Sequence, residues 1–262
     1  MENDPHCDSP PETNRVVCWF SCGDASAVAT SLALKKWPDA IIARIVIPNE
    51  HPDNDRFAAD CSRWWGRPIL ELQDPQKRTV EQVWEQRQFI AGIAGAPCTG
   101  ELKKEVRYAF QQPDDLHVFG FTCEPREMKR AKRLSETNFE CAMSFPLIEH
   151  GLRKSECHAI VRATGIELAA MYKLGFGNNN CIGCPKGGAG YWNKIRQHFP
   201  EVFARRAEQS RRIGARLAVQ DGQRIFLDEL RPTTGRQKNE VEFDCSSFCE
   251  PALELLNIDT AK

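Results

Sequence analysis

The stretch from Arg15 to Lys36, RVVCWFSCGDASAVATSLALKK, decides the fold class of this chain. Residues 15–20 are mostly apolar and predict a short buried strand. Residues 21–25 are small or polar and predict a tight turn, and residues 26–36 predict a helix with one apolar face. A strand that runs through a tight turn directly into a helix is the opening unit of a parallel α/β sheet.

The same alternation of strand and helix continues toward the C-terminus. Further strands are predicted over residues 41–47, 69–72 and 116–121. Further helices are predicted over residues 54–65, 80–90, 125–135 and 154–164. This order predicts an α/β fold with a doubly wound, mainly parallel sheet that helices cover on both faces.

The chain divides into three regions by composition. Residues 1–14 are polar and proline-rich and are predicted to be a disordered tail, whereas residues 15–168 form the predicted α/β domain. Residues 169–262 are predicted to be a small, irregular, cysteine-containing extension packed on that domain. The extension should contain a helical stretch around Pro200 and a hairpin at Asp221-Gly222, which is a strong turn signal.

Composition excludes several classes of protein. The 262 residues are 41% hydrophobic and 27% charged, as in an ordinary globular protein, and the net charge of −1 provides no basic field for nucleic acid. No apolar run approaches the length of a membrane span, and the N-terminal tail lacks the apolar centre of a secretion signal. We therefore expect a cytoplasmic protein with no membrane partner.

Residues 21–26, Ser-Cys-Gly-Asp-Ala-Ser, predict an anion site where the first strand meets the first helix. The backbone N–H groups and the positive helix end converge there. Gly23 lets the backbone approach a ligand closely, and Ser21 and Ser26 add hydroxyl donors. An ordinary first β–α turn is the alternative. Asn49 follows the second strand, at the sheet edge where open α/β sheets bind ligands.

Twelve cysteines are many for a chain in a reducing compartment, where disulfides do not persist. Cys181 and Cys184 form a Cys-x-x-Cys pair in a glycine-rich loop, which could be a zinc half-site, a redox dithiol or half of a cluster site. Cys98 opens a predicted helix about eighty residues earlier. Five others are interpreted as small packing residues: Cys18, Cys61, Cys123, Cys141 and Cys157.

The loop at residues 21–26 resembles the pyrophosphate loop Ser-Gly-Gly-x-Asp-Ser of the adenine nucleotide α-hydrolase-like superfamily. It is more similar to the Ser-Cys-Gly-x-x-Ser form of phosphoadenosine phosphosulfate (PAPS) reductase-like proteins from phages and bacteria. Ala25 replaces the acidic residue that ATP-using members need for magnesium and phosphate, which counts against ATP cleavage. The resemblance implies an adenine nucleotide substrate bound by residues 15–168. The contacts it implies here are Ser21, Cys22, Gly23, Asp24, Ser26 and Asn49.

Residues 98–104, Cys-Thr-Gly-Glu-Leu-Lys-Lys, resemble the Cys-Cys-x-x-x-Lys segment of adenylylsulfate (APS) reductases. In that family a cysteine pair joins a distant Cys-x-x-Cys to hold a [4Fe–4S] cluster. The resemblance implies a cluster bound by Cys98, Cys181, Cys184 and Cys249, with Thr99 at the place of the family's second cysteine. A zinc ion bound by Cys181, Cys184, Cys245 and Cys249 is the alternative, but it leaves Cys98 unexplained.

Residues 120–130 resemble the region of the family in which a glutamate and arginines contact the nucleotide or its sulfate. Glu124 and Arg130 match it, with Arg126 as a second candidate, and arginine suits bidentate recognition of phosphate or sulfate oxygens. Lys103, near Cys98, is expected to line the same anion pocket. A solvent-exposed, charged helix is the alternative for this region.

Three functions follow from the resemblance. The first is thiol-dependent reduction of an adenylylated sulfate (PAPS or APS) to sulfite, with Cys249 or Cys245 as nucleophile and thioredoxin or glutaredoxin as electron donor. The second is an ATP-dependent sulfurtransferase, related to DNA phosphorothioation or tRNA thiolation proteins, for which nucleic acid could be a partner. The third is a nucleotide-binding redox sensor without turnover.

Overall fold

Five parallel strands form the central sheet in the computed structural model, which describes residues 15–92, 95–236 and Leu256. The strand order is β3-β2-β1-β4-β5, and every neighbouring pair is parallel. The strands are β1 (Arg15–Trp19), β2 (Ile41–Ile45), β3 (Ile69–Leu72), β4 (Asp115–Val118) and β5 (Ala142–Ser144). The predicted α/β fold with a doubly wound parallel sheet is therefore confirmed.

Helices connect and flank the strands. Those of the first half are α1 (Asp24–Lys36), α2 (Asp53–Trp65), α3 (Val80–Arg87), α4 (Pro97–Thr99) and α5 (Glu105–Phe110). Those of the second half are α6 (Pro125–Thr137), α7 (Pro146–Glu149), α8 (Lys154–Ala163), α9 (Ala170–Lys173), α10 (Ala189–His198) and α11 (Pro200–Ile213). A π-helical turn, Gly100–Lys104, joins α4 to α5, and a 3₁₀-helix covers Leu227–Glu229.

Two large hydrophobic clusters hold these elements together. One contains Phe20, the buried face of α1 and residues of α2 and α8. The other joins α3 to α10 and α11 through Trp84, Trp192 and Phe203, all with little or no exposed surface. The second cluster also contains Cys98, so the region around that cysteine is packed against helices from the last third of the chain.

Several boundaries differ from the sequence-based prediction. Helix α1 begins at Asp24, two residues earlier than expected, and β4 ends at Val118, three residues earlier. Strand β5 was missed because three residues are too short to show a period. The helical stretch around Pro200 is two helices, and Pro200 is the first residue of α11, where its missing N–H costs nothing.

The predicted hairpin at Asp221-Gly222 is confirmed by strands β6 (Ala218–Gln220) and β7 (Gln223–Ile225). Both turn residues have positive φ, 51° and 77°, which matches the twist of a two-residue hairpin.

The sheet order places a crevice beside β1. Strand β1 pairs with β2 on one side and with β4 on the other. Successive strands are therefore added on one side of β1 up to β3, and on its other side from β4 onward. Open α/β sheets bind ligands outside the carboxyl ends of the strands at such a reversal. None of the helices in the described ranges has the length and apolar character that crossing a membrane would require.

Candidate functional site

A cavity of about 700 Å³ lies at the carboxyl ends of β1 and β4. This volume falls in the range of small-molecule sites. Residues from both strand ends, from α6 and from α8 form its walls. Seven of the predicted nucleotide contacts line the cavity: Ser21, Gly23, Ser26, Lys103, Glu124, Arg126 and Arg130. Asn49 does not line it.

The loop at residues 21–26 is closed by one serine. The Ser26 Oγ atom accepts hydrogen bonds from the backbone N–H groups of Ser21 (3.1 Å) and Gly23 (3.3 Å) and donates to the Gly23 carbonyl (2.8 Å). Gly23 is the N-cap of α1, and Gly23, Ala25 and Ser26 line the cavity, so the positive end of α1 lies at its edge. The arrangement can bind an anion, as the sequence predicts.

Two of the predicted loop contacts point into the protein interior. The Cys22 side chain is fully buried, its φ is 55°, and its thiol donates to the Asn54 carbonyl (3.7 Å). Burial raises the pKa of Cys22 to about 12. The Asp24 carboxylate is also fully buried and is hydrogen-bonded to Nδ1 of His158. Neither side chain lines the cavity, so neither contacts a ligand there directly.

Asn49 has a structural position outside the cavity. Its side chain accepts a hydrogen bond from the Val80 N–H (2.7 Å) and donates to the Glu81 carboxylate (2.8 Å). Its carbonyl accepts a hydrogen bond from the Ile182 N–H (2.8 Å), inside the Cys-x-x-Cys loop. Asn49 therefore connects the end of β2 to α3 and to that loop.

Glu124 lies at the N-cap of α6 and lines the cavity. Its Oε1 atom accepts a hydrogen bond from the Lys154 N–H (2.8 Å), while Oε2 is buried with no hydrogen-bond partner among the described residues. Burial alone would raise the pKa of Glu124, but hydrogen bonds from Thr122 and Lys154 and the charge of Lys154 lower it overall. The carboxylate is ionised at neutral pH, and Oε2 can accept a hydrogen bond from a ligand hydroxyl.

Arginines and aromatic rings form the cavity wall near α5 and α6. Arg130 pairs with Glu127 (2.7 Å) and lies over the Phe121 ring at 5.2 Å. Arg107 is buried and lies 5.7 Å over the Phe119 ring. Cationic groups next to ring faces can hold a planar group with attached anions.

Sequence reasoning missed several residues of the cavity. Among those with polar side chains are Arg107, Lys154, His158, Tyr172 and Asn179. Asn179 donates hydrogen bonds to the Cys22 carbonyl (2.6 Å) and to Asn54 Oδ1 (2.8 Å), which holds residues 178–180 against the loop of residues 21–26. The run of three asparagines was a usable signal, but nothing local in α8 distinguished His158.

The structure brings Cys98, Cys181 and Cys184 together. The charges of Cys98 and Cys184 interact, as do those of Cys181 with both others. The Cys184 N–H donates to the Cys181 carbonyl (3.1 Å), and the Tyr191 hydroxyl bonds both residues, at 3.0 and 2.8 Å. Within residues 15–92 and 95–236, no three His, Cys, Asp or Glu side chains stand in metal-binding geometry. Cys245 and Cys249 lie outside the described residues.

The surroundings of these three thiols fit a sulfur-rich group. The indole N–H of Trp84 interacts with Cys98 and opposes part of the rise that burial causes in its pKa, yet it makes no hydrogen bond of normal geometry. Arg206 is buried 4.5 Å over the Trp84 ring, and its Nε–H has no hydrogen-bond partner among the described residues. The sulfur atoms of a cluster would accept hydrogen bonds from N–H groups such as those of Trp84 and Arg206.

The other cysteines are placed mostly as expected. Cys18, Cys61 and Cys157 are fully buried, whereas Cys123 and Cys141 are only half-buried. Burial raises the pKa of Cys18 to about 12. Cys18, Cys61 and Cys157 belong to hydrophobic clusters, whereas the Cys123 thiol donates to the Gly151 carbonyl (3.0 Å).

Lys103 connects the cavity to the three thiols. It lines the cavity, and its Nζ is 3.5 Å from the Glu50 carboxylate. Burial alone would lower the pKa of Lys103, but the charges of Cys181, Glu50 and Cys184 outweigh it and raise the pKa. Lys103 therefore lies between the cavity and the cysteines, on the π-helical turn of residues 100–104.

No protein-family model matches this chain, and no curated protein matches it.

Proposed function

We propose that this chain is an enzyme of the PAPS reductase family that reduces an adenylylated sulfate, PAPS or APS, to sulfite with a thiol as reductant. The phosphate would lie at the loop of residues 21–26, where Ser21, Gly23 and Ser26 line the cavity. Glu124 would accept a hydrogen bond from the nucleotide, and Arg126 and Arg130 would balance its anionic oxygens.

The observation that carries the proposal is the position of Lys103. This lysine lines the cavity, and it lies near enough to Cys181 and Cys184 for their thiolate forms to raise its pKa. An anion bound in the cavity and a group held by the cysteines would therefore share one cation. A cluster beside an adenylylated sulfate requires this adjacency, whereas a structural zinc site has no need of it.

The reaction needs one nucleophilic thiolate and one external reductant. The thiolate of Cys249 or Cys245 attacks the sulfate sulfur, and the S–O bond to the phosphate breaks as the nucleotide leaves with the electron pair. A dithiol such as thioredoxin or glutaredoxin then attacks the S-sulfocysteine and releases sulfite. The dithiol closes to a disulfide and supplies the two electrons by which sulfur is reduced. Such reductants are cytoplasmic, and we place the protein there.

Cys98, Cys181 and Cys184 would hold an iron–sulfur cluster, with Cys249 or Cys245 as the fourth ligand. When bound, the cluster supplies a thiolate-held iron–sulfur centre whose properties depend on nearby hydrogen bonds. Trp84 and Arg206 contribute the buried N–H donors on this chain's side. Whichever of the two C-terminal cysteines does not bind the cluster is the nucleophile.

Purification without oxygen, followed by three assays, tests the proposal. We expect a brown protein with about four irons per cluster site, and sulfite release from APS or PAPS with a thiol donor. Pyrophosphate release from ATP would instead select a sulfurtransferase, and nucleotide binding without turnover would select a redox sensor. A colourless protein that contains one zinc would overturn the cluster assignment.

Matched variants sharpen this test. Lys103→Ala should lower kcat/KM for sulfite release by about tenfold to a hundredfold, because a charge-assisted contact is lost. Lys132→Ala, on the exposed face of α6, should leave it unchanged. Cys98→Ala should reduce the iron content, whereas Cys141→Ser should not. Equal kcat/KM for the two lysine variants would contradict the role given to Lys103.

A further inference from the structure

The hydroxyl of Tyr172 lies at the first turn of α1, beside the loop of residues 21–26. Tyr172 belongs to the short helix α9, is 6% exposed and lines the cavity. A Cβ atom on Gly23, the N-cap of α1, would be 3.1 Å from the Tyr172 hydroxyl oxygen. The hydroxyl is therefore next to the residue at which the positive end of α1 begins.

Packing fixes the ring that carries this hydroxyl. Tyr172 is part of the hydrophobic cluster that contains Phe20 and the buried face of α1. It also packs edge-to-face against the His158 ring, with a centroid distance of 4.7 Å and an interplanar angle of 78°. A side chain with so little freedom loses little conformational entropy when a ligand binds, so its hydroxyl is a preorganised group.

The Tyr172 hydroxyl keeps its proton at neutral pH, and its oxygen is already used as an acceptor. Burial raises the pKa of Tyr172, and the negative charge of Asp24 raises it further. The backbone N–H groups of Asn179 and Asp24 donate toward the oxygen and oppose part of this rise. A phenol oxygen that two donors approach has one function left, which is to donate its own hydrogen.

The protein around Tyr172 does not accept this hydrogen. The Asp24 carboxylate is a neighbour, but its Oδ2 atom is hydrogen-bonded to His158, and its Oδ1 atom has no hydrogen-bond partner among the described residues. Within residues 15–92 and 95–236, no other atom accepts a hydrogen bond from the Tyr172 hydroxyl. An O–H group without an acceptor at a nearly buried position costs free energy, and a ligand oxygen in the cavity would remove that cost.

The groups that line the cavity favour an anionic ligand. The positive end of α1 begins at Gly23, and the cavity wall also contains the cations Lys103, Arg126 and Arg130. Hydrogen-bond donors and cations around one cavity select a ligand with negatively charged oxygens, such as a phosphate group. A hydrogen bond from the Tyr172 hydroxyl to such an oxygen would be a charge-assisted one.

We propose that Tyr172 donates its O–H to a phosphate oxygen of the nucleotide at the loop of residues 21–26. The inference rests on the proposed nucleotide site and adds to it a neutral donor from α9, a helix far from that loop in the sequence. Tyr172 is a binding residue in this proposal. Its hydroxyl takes part in recognition of the phosphate, whereas its ring belongs to the hydrophobic core.

Binding of AMP to the full chain tests the inference, with Tyr172→Phe compared to wild type. The substitution removes one hydroxyl and keeps the packed ring. We expect Tyr172→Phe to bind AMP about tenfold or more weakly, because a hydrogen bond to a charged phosphate is lost. Tyr108→Phe is the matched control, since Tyr108 is 46% exposed and its hydroxyl lies 3.5 Å from Asn138 Oδ1. This control should bind AMP like wild type.

Adenosine separates a phosphate contact from a merely structural role of the hydroxyl. It has the base and the ribose of AMP but no phosphate, so Tyr172→Phe should bind adenosine as wild type does. A loss of adenosine affinity as large as the loss of AMP affinity would overturn the phosphate contact.

NMR of the wild-type chain gives a second measurement, which stands even if Tyr172→Phe fails to fold. The chain has three tyrosines, so labelling of the tyrosine ¹³Cζ atom gives three resonances. This carbon bears the hydroxyl. Addition of AMP should shift the Tyr172 resonance and leave that of Tyr108 unchanged, whereas adenosine should shift the Tyr172 resonance less than AMP does.

The outcomes distinguish this inference from the proposed function. A wild-type chain that binds no AMP would overturn both. A wild-type chain that binds AMP while Tyr172→Phe binds it equally would overturn only the role of Tyr172. A Tyr172 resonance that does not move when the site is saturated with AMP would do the same.

Discussion

Gly120 lies directly against the backbone of Ser26: a Cβ atom on Gly120 would be 2.7 Å from Ser26 Cα and 2.8 Å from Ser26 N. The segment after β4 and the first turn of α1 therefore touch through their main chains. No flexible side chain lies between them to absorb an added atom. Both residues line the cavity, so their contact forms part of its wall at the loop of residues 21–26.

Gly120→Ala should therefore displace the loop. We expect AMP affinity to fall about tenfold or more, and the free energy of unfolding to fall by about 1–3 kcal/mol, because a backbone atom must move. Gly100→Ala is the control, since a Cβ there meets nothing within 4 Å and its backbone is helical. Titration with AMP and urea unfolding measure the two effects. Unchanged AMP affinity in Gly120→Ala would show that the contact does not shape the site.

Asp115 joins β1 to β4 through an ion pair with Arg15, at 2.7 Å for both nitrogen–oxygen contacts. Burial alone would raise the pKa of Asp115, but the Arg15 and Gln112 hydrogen bonds outweigh it and lower the pKa. Asp115→Asn should reduce the free energy of unfolding at pH 7 by about 1–3 kcal/mol, since Arg15 loses its partner.

The pH dependence of this effect has a definite sign. A carboxylate whose pKa is lowered by folding stabilises the protein above its unfolded pKa of about 3.9, and that stability is lost as the pH falls through the folded value. Urea unfolding should therefore show a gap between wild type and Asp115→Asn at pH 7 that narrows toward pH 3. Asp39→Asn, at an exposed pair with Arg67, is the control and should show no gap. A gap that is independent of pH would contradict the assignment.

Cys22 should be unreactive although it lies in the loop of residues 21–26. Its pKa of about 12 leaves roughly one molecule in ten thousand as thiolate at pH 8, and its side chain is fully buried. Iodoacetamide should label half-buried Cys123 in the folded protein well before Cys22, and both equally in urea. Peptide mass mapping over time measures the two rates. Similar rates in the folded state would mean that the loop opens readily.

Gly183 shapes the Cys-x-x-Cys loop by two constraints. Its φ is +74°, and an added Cβ would be 2.9 Å from Arg206 Nε and 3.0 Å from Val202 Cγ1. Gly183→Ala should reduce the iron content and cost more stability than Gly165→Ala. Gly165 has a similar φ of +81° but nothing within 4 Å, so its substitution isolates the backbone cost of about 1 kcal/mol. Iron analysis and urea unfolding compare the variants, and equal results would remove the role of the Arg206 contact.

Much of the site could be predicted because its residues follow strands. Ser21, Gly23 and Ser26 come after β1, and Glu124 comes after β4, so a parallel sheet brings them to one edge. The directions of Cys22 and Asp24 could not be predicted in the same way. Both belong to the same loop, but the φ of 55° at Cys22 turns its side chain into the protein interior. The Asp24 carboxylate also points into the interior, where it is hydrogen-bonded to His158, 134 residues away in the sequence.

The amino-acid sequence by itself determined the class of fold, because its apolar segments alternate between the periods of a strand and of a helix. Strands and helices in that order pack as a parallel sheet with helices on both faces. It also determined which loop meets the first helix end. Only the tertiary structure decided that Lys103 joins the cavity to three cysteines, and that His158 lies beside Asp24. The physical reason is that side-chain contacts between distant segments depend on burial and packing in three dimensions, which leave no periodic trace along the chain.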